Sequence, residues 1–184
     1  IGWNDPVSNG TTGLIWSGLS YGTTYEWYAV ANDSTDEAVS STWSFTTNYR
    51  PDKSDSPSPS NGSTGLPLDQ TLSVVVTDPD GDTMDVTFYD ASDDSVIGTD
   101  NGVLSGNTAA VTWSGLNEGT VYDWYAVAND GLTTRRSDTW SFRTNYQPNS
   151  PVNPVPLDMD TGLATSVVLN VDVSDFDGDV MDVT

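Results

Sequence analysis

Cysteine and histidine are absent from the 184 residues, and lysine occurs once, as Lys53. Without cysteine, no disulfide staples the fold, and redox usage points to no compartment. Without histidine, the commonest general base and metal ligand is missing, so any cation must be held by oxygen. Serine is plentiful, but neither an imidazole to activate it nor a thiol to replace it is available, which argues against nucleophilic catalysis. No apolar run approaches the about 18 residues of a membrane span. No signal-peptide pattern stands at Ile1, so the chain reads either as trimmed or as a piece of something longer.

Positive charge is scarce as well. Five basic residues face 27 acidic ones, a formal charge of −22, and only Glu26, Glu37 and Glu118 among the acids are not aspartate. Such a surface repels nucleic acid and anionic lipid. It suits divalent cations, or a salty medium in which repulsion is screened. Acidity of this degree is also found in disordered chains. Here seven Trp, eight Tyr and regularly spaced Val argue for a packed core instead. Three N-x-S/T triplets, at Asn9, Asn32 and Asn61, are glycan acceptors if the chain is exported.

The organisation follows from internal repetition. WSGL occurs at Trp16–Leu19 and Trp113–Leu116, WYAVAND at Trp27–Asp33 and Trp124–Asp130, TNY at Thr47–Tyr49 and Thr144–Tyr146, and MDVT at Met84–Thr87 and Met181–Thr184, each pair 97 positions apart. Residues 1–48 therefore correspond to the second half of a unit, 49–146 to a whole one, and 147–184 to a first half. Thr184 matches Thr87 and, with a one-residue slip from that offset, Ile1 matches Ile97, so only an equivalent of Phe88–Val96 is wanting between the two ends.

Within the whole unit, apolar residues alternate with polar ones and no helical period is evident. Leu72, Val74 and Val76 share one side of a strand; Met84, Val86 and Phe88 share one side of the next. Val111 and Trp113 follow, then Tyr122, Trp124, Ala126 and Ala128, then Trp140 and Phe142. Gly-, Asn- and Asp-rich turns separate them. Seven or so short strands per unit predict an all-β fold, a tandem of immunoglobulin-like antiparallel sandwiches.

The stretch Leu116-Asn-Glu-Gly-Thr-Val-Tyr122 followed by Trp124-x-Ala126-x-Ala128, matched by Leu19 to Tyr25 in the first unit, resembles the fibronectin type III family. The Pro57 to Leu66 segment and the Thr-Asp-Pro-Asp-Gly-Asp turn resemble prokaryotic or archaeal surface-protein versions of that module. The resemblance implies that Tyr122 is a corner tyrosine whose hydroxyl bonds nearby backbone. It also implies that the loop holding Asp78, Asp80 and Asp82 lies at the same pole as Asn129 and Asp130. Such modules serve as spacers, adhesins and filament subunits alike, so the likeness speaks to fold more than to role.

The turn Thr77–Thr87, TDPDGDTMDVT, carries Asp78, Asp80, Asp82 and Asp85, and Ser174–Thr184, SDFDGDVMDVT, carries Asp175, Asp177, Asp179 and Asp182. Converging hard oxygens suit Ca²⁺. Asp78, Asp80, Asp82, Asn129 and Asp130 form one candidate site, and Asp175, Asp177 and Asp179 a second. A solvated turn and a surface adapted to salt are the competing readings, since Asp-Pro-Asp-Gly is a good type I turn sequence and the Gly spacing is not that of an EF-hand. The pole faces the preceding unit, so a bound ion could stiffen the joint between units.

Most aromatic residues fall on inward faces. Trp3, Tyr28 and Tyr125 are the exceptions by alternation, and the two tyrosines are expected to project outward from their strand, available for lateral contacts. The segments after Asn48 and Asn145 are proline-rich and predict extended joints that set successive units end to end. Half a sandwich cannot bury its own core. Residues 1–48 and 147–184 therefore call for neighbours, either further units of a longer polypeptide or a head-to-tail copy, and both give an uninterrupted string. The function expected is structural, an extracellular filament, stalk or surface-layer extension. An adhesin for a glycan or protein, or a spacer in a secreted multidomain enzyme, is the alternative.

Overall fold

The structure is a computed structural model describing residues 2, 8 and 10–184; Trp3 and the sequon Asn9 lie outside the described residues. All regular elements among those residues are β-strands. The first four, β1 (Thr24–Trp27), β2 (Val30–Asn32), β3 (Glu37–Val39) and β4 (Trp43–Thr46), form two antiparallel pairs, β1 with β4 and β2 with β3.

The central unit holds β5 (Asp55–Ser58), β6 (Ser63–Leu66), β7 (Gln70–Val75), β8 (Met84–Asp90), β9 (Val96–Val103), β10 (Thr108–Trp113), β11 (Val121–Asn129), β12 (Thr134–Arg136) and β13 (Trp140–Thr144). They make two sheets, one ordered β10-β7-β5, the other β6-β13-β11-β8-β9 with β12 also on β11. All pairings are antiparallel except β6 with β13, which is parallel. Period-two alternation sends Leu72, Val74 and Val76 from one sheet against Met84, Val86, Phe88, Trp124, Ala126, Ala128 and Phe142 from the other, forming one buried core. This is a two-layer immunoglobulin-like sandwich. Trp124 is at its centre, fully buried, stacked on Phe88 at 5.9 Å and tilted against Trp140 at 4.9 Å. Burying each large side chain of this kind contributes roughly 1.5–3 kcal/mol.

Two strands formed where the sequence shows no apolar alternation. Asp55–Ser58 falls inside the proline-rich stretch expected to be an extended joint, yet pairs with the edge of β7, where the missing amide of Pro57 is tolerated. Ser63–Leu66 crosses to the opposite sheet to pair with β13. The free joint is accordingly short.

The last two strands, β14 (Val152–Val155) and β15 (Asn170–Asp172), pair antiparallel. The repeat in sequence is a repeat in pairing. Tyr25 faces Phe45 as Tyr122 faces Phe142, Ala31 faces Ala38 as Ala128 faces Arg135, and Val152 faces Asp172 as Asp55 faces Val75. Burial does not repeat. Trp27 is 41% exposed whereas Trp124 is 0% exposed, because among the described residues no sheet opposes β1 and β4.

Tyrosine hydroxyls fasten the corner in both units. The Asn117 amide donates to Tyr122 Oη at 2.8 Å, and the Ser20 amide to Tyr25 Oη at 2.8 Å, as the corner-tyrosine expectation requires. Tyr125 departs from expectation. It does leave the core side of β11, but it is only 7% exposed. Its ring stacks on Tyr89 at 5.0 Å, the Arg136 guanidinium lies 3.7 Å from the ring centre, and its hydroxyl donates to Asp94 at 2.8 Å. Tyr28 is 62% exposed. Val39 stands where the central unit has Arg136, so no guanidinium covers Tyr28.

Candidate metal centre

The acidic turn links β7 to β8 and is built on Asp78. Its amide donates to Ser105 Oγ at 2.9 Å, and Ser105 Oγ donates back to the Asp78 carbonyl at 3.1 Å, which ties the turn to the loop between β9 and β10. Asp78 Oδ1 accepts the Asp80 amide at 3.0 Å, folding the chain back so that the side chains at alternate positions meet. Asp78, Asp80 and Asp82 each bring a carboxylate oxygen within 4.8 Å of the others. Asp78 is 6% exposed, and its Oδ2 is buried with no hydrogen-bond partner. An orphaned carboxylate oxygen of this kind is costly unless a cation or proton satisfies it.

The second turn reproduces this construction. The Asp177 amide donates to Asp175 Oδ1 at 3.0 Å, and Asp175, Asp177 and Asp179 bring oxygens within 4.8 Å of one another. Here Asp175 Oδ2 and Asp177 Oδ1 are the unpartnered buried atoms.

The electrostatics of the two turns agree. Burial, with the adjoining Asp80 carboxyl, pushes the Asp78 carboxyl above its ordinary value, while the neighbouring Asp78 carboxyl and the Tyr49 amide hold Asp80 below it. In the second turn the Asp177 carboxyl, with burial, raises Asp175, and the Asp175 carboxyl and the Tyr146 amide lower Asp177. In each pair the two carboxylates are pushed apart in their affinity for a proton, as like charges held close together are. A divalent cation seated among these oxygens would offset their mutual repulsion. Six to eight oxygens at 2.3–2.6 Å satisfy Ca²⁺ in general, so three carboxylates leave room for carbonyls and water.

β11 delivers Asn129 and Asp130 to the same pole, as expected, and the Asp130 charge reaches Asp80. Their oxygens, however, are used in closing the β11–β12 turn. Asn129 Oδ1 accepts the Gly131 amide at 2.9 Å. Asp130 Oδ1 accepts the Leu132 and Thr133 amides at 2.7 and 2.5 Å, and Oδ2 accepts the Thr133 hydroxyl at 2.9 Å and Asn48 Nδ2 at 3.0 Å. The three-carboxylate group consists of Asp78, Asp80 and Asp82 without them.

Two functional groups escape a reading by residue type. The Tyr49 amide donates to Asp80 Oδ2 at 3.0 Å, and the Tyr146 amide donates to Asp177 Oδ2 at 3.2 Å. The available signal is positional: the Thr-Asn-Tyr triplet and the acidic turn repeat with the same 97-residue offset. Of the sequons, Asn32 and Asn61 are exposed. Asn32 Oδ1 accepts the Ser34 amide and Asn61 Oδ1 accepts the Ser141 amide, each at 2.8 Å. Among the described residues no helix is long and apolar enough to cross a membrane.

No protein-family model matches the chain, and no curated protein does. Among solved structures it is similar to the PKD domain of an M14-like peptidase from Thermoplasmatales archaeon SCGC AB-540-F20, with 18% identity over 54% of this chain and 100% of that one, at a TM-score of 0.40. It is also similar to domains 4 and 5 of the S-layer protein SbsC, with 15% identity over 65% of this chain and 66% of that one, at a TM-score of 0.30. No comparison singles out the fibronectin type III family, and the all-β sandwich assignment stands on the chain's own two facing sheets.

Proposed function

We propose that this chain is a non-catalytic structural stretch of an extracellular string of β-sandwiches, a filament, stalk or surface-layer extension, whose acidic turns take up Ca²⁺. Asp78, Asp80 and Asp82 would hold one ion, and Asp175, Asp177 and Asp179 another. The observation that carries this reading is the matching construction of the two boundaries: in each, the amide of the boundary tyrosine donates to the second aspartate of the acidic turn that follows it. A boundary built twice from the same parts is a repeating joint, and repetition of a joint produces length.

The partners are neighbouring repeats or copies, met head to tail. Trp27 and Trp43 on β1 and β4, and Leu169, Val171 and Val173 around β15, are exposed apolar residues whose counterparts in the central unit lie in its core. What covers them is defined by that core: a sheet like β10-β7-β5 over the first group, and one like β13-β11-β8 over the second. The high negative charge keeps such strings apart except where cations bridge or screen them. An adhesin would place contacts instead on the loops Ala31–Ser41 and Ala128–Asp138, which differ in sequence between units.

Negative-stain microscopy of the native material, with Ca²⁺ and with chelator, tests the reading. Thin fibres with an axial repeat of one or two domain lengths are expected, and compact isolated particles in both conditions would overturn it.

A further inference from the structure

We propose that the cation site and the unit boundary are a single device: Ca²⁺ seated among Asp78, Asp80 and Asp82 fixes Asp80 as the acceptor for the Tyr49 amide, so that ion occupancy sets the stiffness of the joint. This rests on the Ca²⁺ reading above and adds what the ion does.

The two observations that point to a ligand are separate from each other. One is the convergence of three carboxylates. The other is Asp78 itself, 6% exposed, with Oδ2 buried and unpartnered, a defect repeated at Asp175 Oδ2 in the next turn. Neither turn places a lysine or arginine in a salt bridge with these aspartates; the one salt bridge among the described residues joins Lys53 to Asp138. Arg143 acts on Asp177 only through its charge and not through a salt bridge, so a cation from solution is the species left to sit among the carboxylates.

Tyr49 is what joins this site to the preceding unit. Its ring lies over Gly22, where a Cβ would fall 2.7 Å from Cδ1, and the Gly22 amide donates to the Asn48 carbonyl at 2.8 Å. Its amide meanwhile points forward to Asp80. One residue thus grips the turn that leads into β1 of one unit with its ring and the acidic turn of the next with its backbone. Tyr146 does the same between Gly119 and Asp177, and the Gly119 amide donates to the Asn145 carbonyl at 3.0 Å.

Asp80 serves both sides. Left without a cation, Asp78, Asp80 and Asp82 repel one another, and Asp80 relieves that repulsion by swinging toward solvent, away from Tyr49. A bound cation reverses the sign of the interaction and draws all three carboxylates inward. Linkage then requires reciprocity: if the ion favours the docked linker, docking of the linker favours the ion by the same factor.

The test uses the full chain and two readouts, Ca²⁺ binding by calorimetry and amide hydrogen exchange at Tyr49 and Tyr146. The expected result is two bound ions and exchange at both amides slowed by about five- to tenfold at saturating Ca²⁺ relative to chelator, the lower range of ordinary coupling. Trp124 and its β11 neighbours serve as the reference and should exchange alike in both conditions. Asp82→Asn leaves the bond between Tyr49 and Asp80 intact but removes one charge from the ion. It should weaken binding at the first site and abolish the Ca²⁺-dependent protection of Tyr49, leaving that of Tyr146 in place. Binding of Ca²⁺ with unchanged exchange at both tyrosines would overturn the joint mechanism while leaving the ion reading intact. Absence of binding would overturn both.

Discussion

Gly119 lies directly under the ring of Tyr146: a Cβ built on this glycine would fall 2.1 Å from Tyr146 Cε1, and its φ of +59° is a conformation side chains rarely adopt. Position 119 must therefore be glycine for two independent reasons, the backbone and the approach of the linker. Gly119→Ala is expected to cost about 1–3 kcal/mol, the usual range for a strained left-handed residue with a displaced neighbour. It should also free Tyr146 from the preceding unit. Chemical denaturation gives the first effect. Small-angle scattering gives the second, as a wider distribution of end-to-end distances. An unchanged distribution would show that the tyrosine ring does not anchor the joint.

Asp78→Asn separates charge from shape. The amide keeps Oδ1 in place for the Asp80 amide while removing one charge from the cluster. In chelator the variant should be as stable as the parent or slightly more so, because mutual repulsion is lowered. In Ca²⁺ the parent should gain stability by mass action, about 2.7 kcal/mol at a hundredfold excess over its Kd, and the variant should gain markedly less. Thermal melts in both buffers distinguish these outcomes.

One residue type in two settings tests the dependence on an opposing sheet. Trp124→Ala removes a fully buried ring and should destabilise the central unit by about 3–5 kcal/mol. Trp27→Ala, at the corresponding position 97 residues earlier, should leave unfolding of the central unit unchanged in the isolated chain. It should become costly once a neighbour covers β1 and β4. Urea titrations of dilute and assembled material measure both.

Acid should loosen the boundary through Asp130. Burial pushes its carboxyl up, but the Thr133 amide, Asn48 Nδ2, the Leu132 amide and the Thr133 hydroxyl together hold it below its ordinary value of 3.8. For a depressed carboxylate, the stabilisation is fully present above the unfolded-state value and is lost as pH falls through the lower folded-state value. Stability contributed by this group is therefore constant at neutral pH and disappears below about pH 4. Asp130→Asn should flatten that part of the acid limb in a stability–pH profile.

Much of the core was legible because burial imposes a period of two. Leu72, Val74 and Val76, and Met84, Val86 and Phe88, are buried as their alternation requires. β5 and β6 were not legible, since Asp-Ser-Pro-Ser and Ser-Thr-Gly-Leu carry no such pattern; their pairing is imposed by the open edges of β7 and β13. The aspartates of the candidate site could be read from spacing alone. The amides of Tyr49 and Tyr146 could not, because every residue but proline has a backbone donor and only the fold selects one. Tyr125 shows the converse. Alternation gives its side of the strand, but its cover comes from Tyr89, Asp94 and Arg136, none of which local sequence brings near.

The parallel pairing of β6 with β13 has a mechanical meaning. β6 lies near the point where the chain enters the central unit, and β13 near the point where it leaves. Ser63 is opposite Phe142 and Leu66 opposite Thr144, and the Gly62 amide donates to the Ser141 carbonyl and the Asn145 amide to the Leu66 carbonyl at 2.7 and 2.8 Å. Were the unit pulled from its two ends, load reaching these two strands would act in opposite directions along their common axis. Once β5 has given way, the bonds between them would be loaded together in shear rather than peeled apart one after another, whereas a hairpin pulled from its open end would unzip.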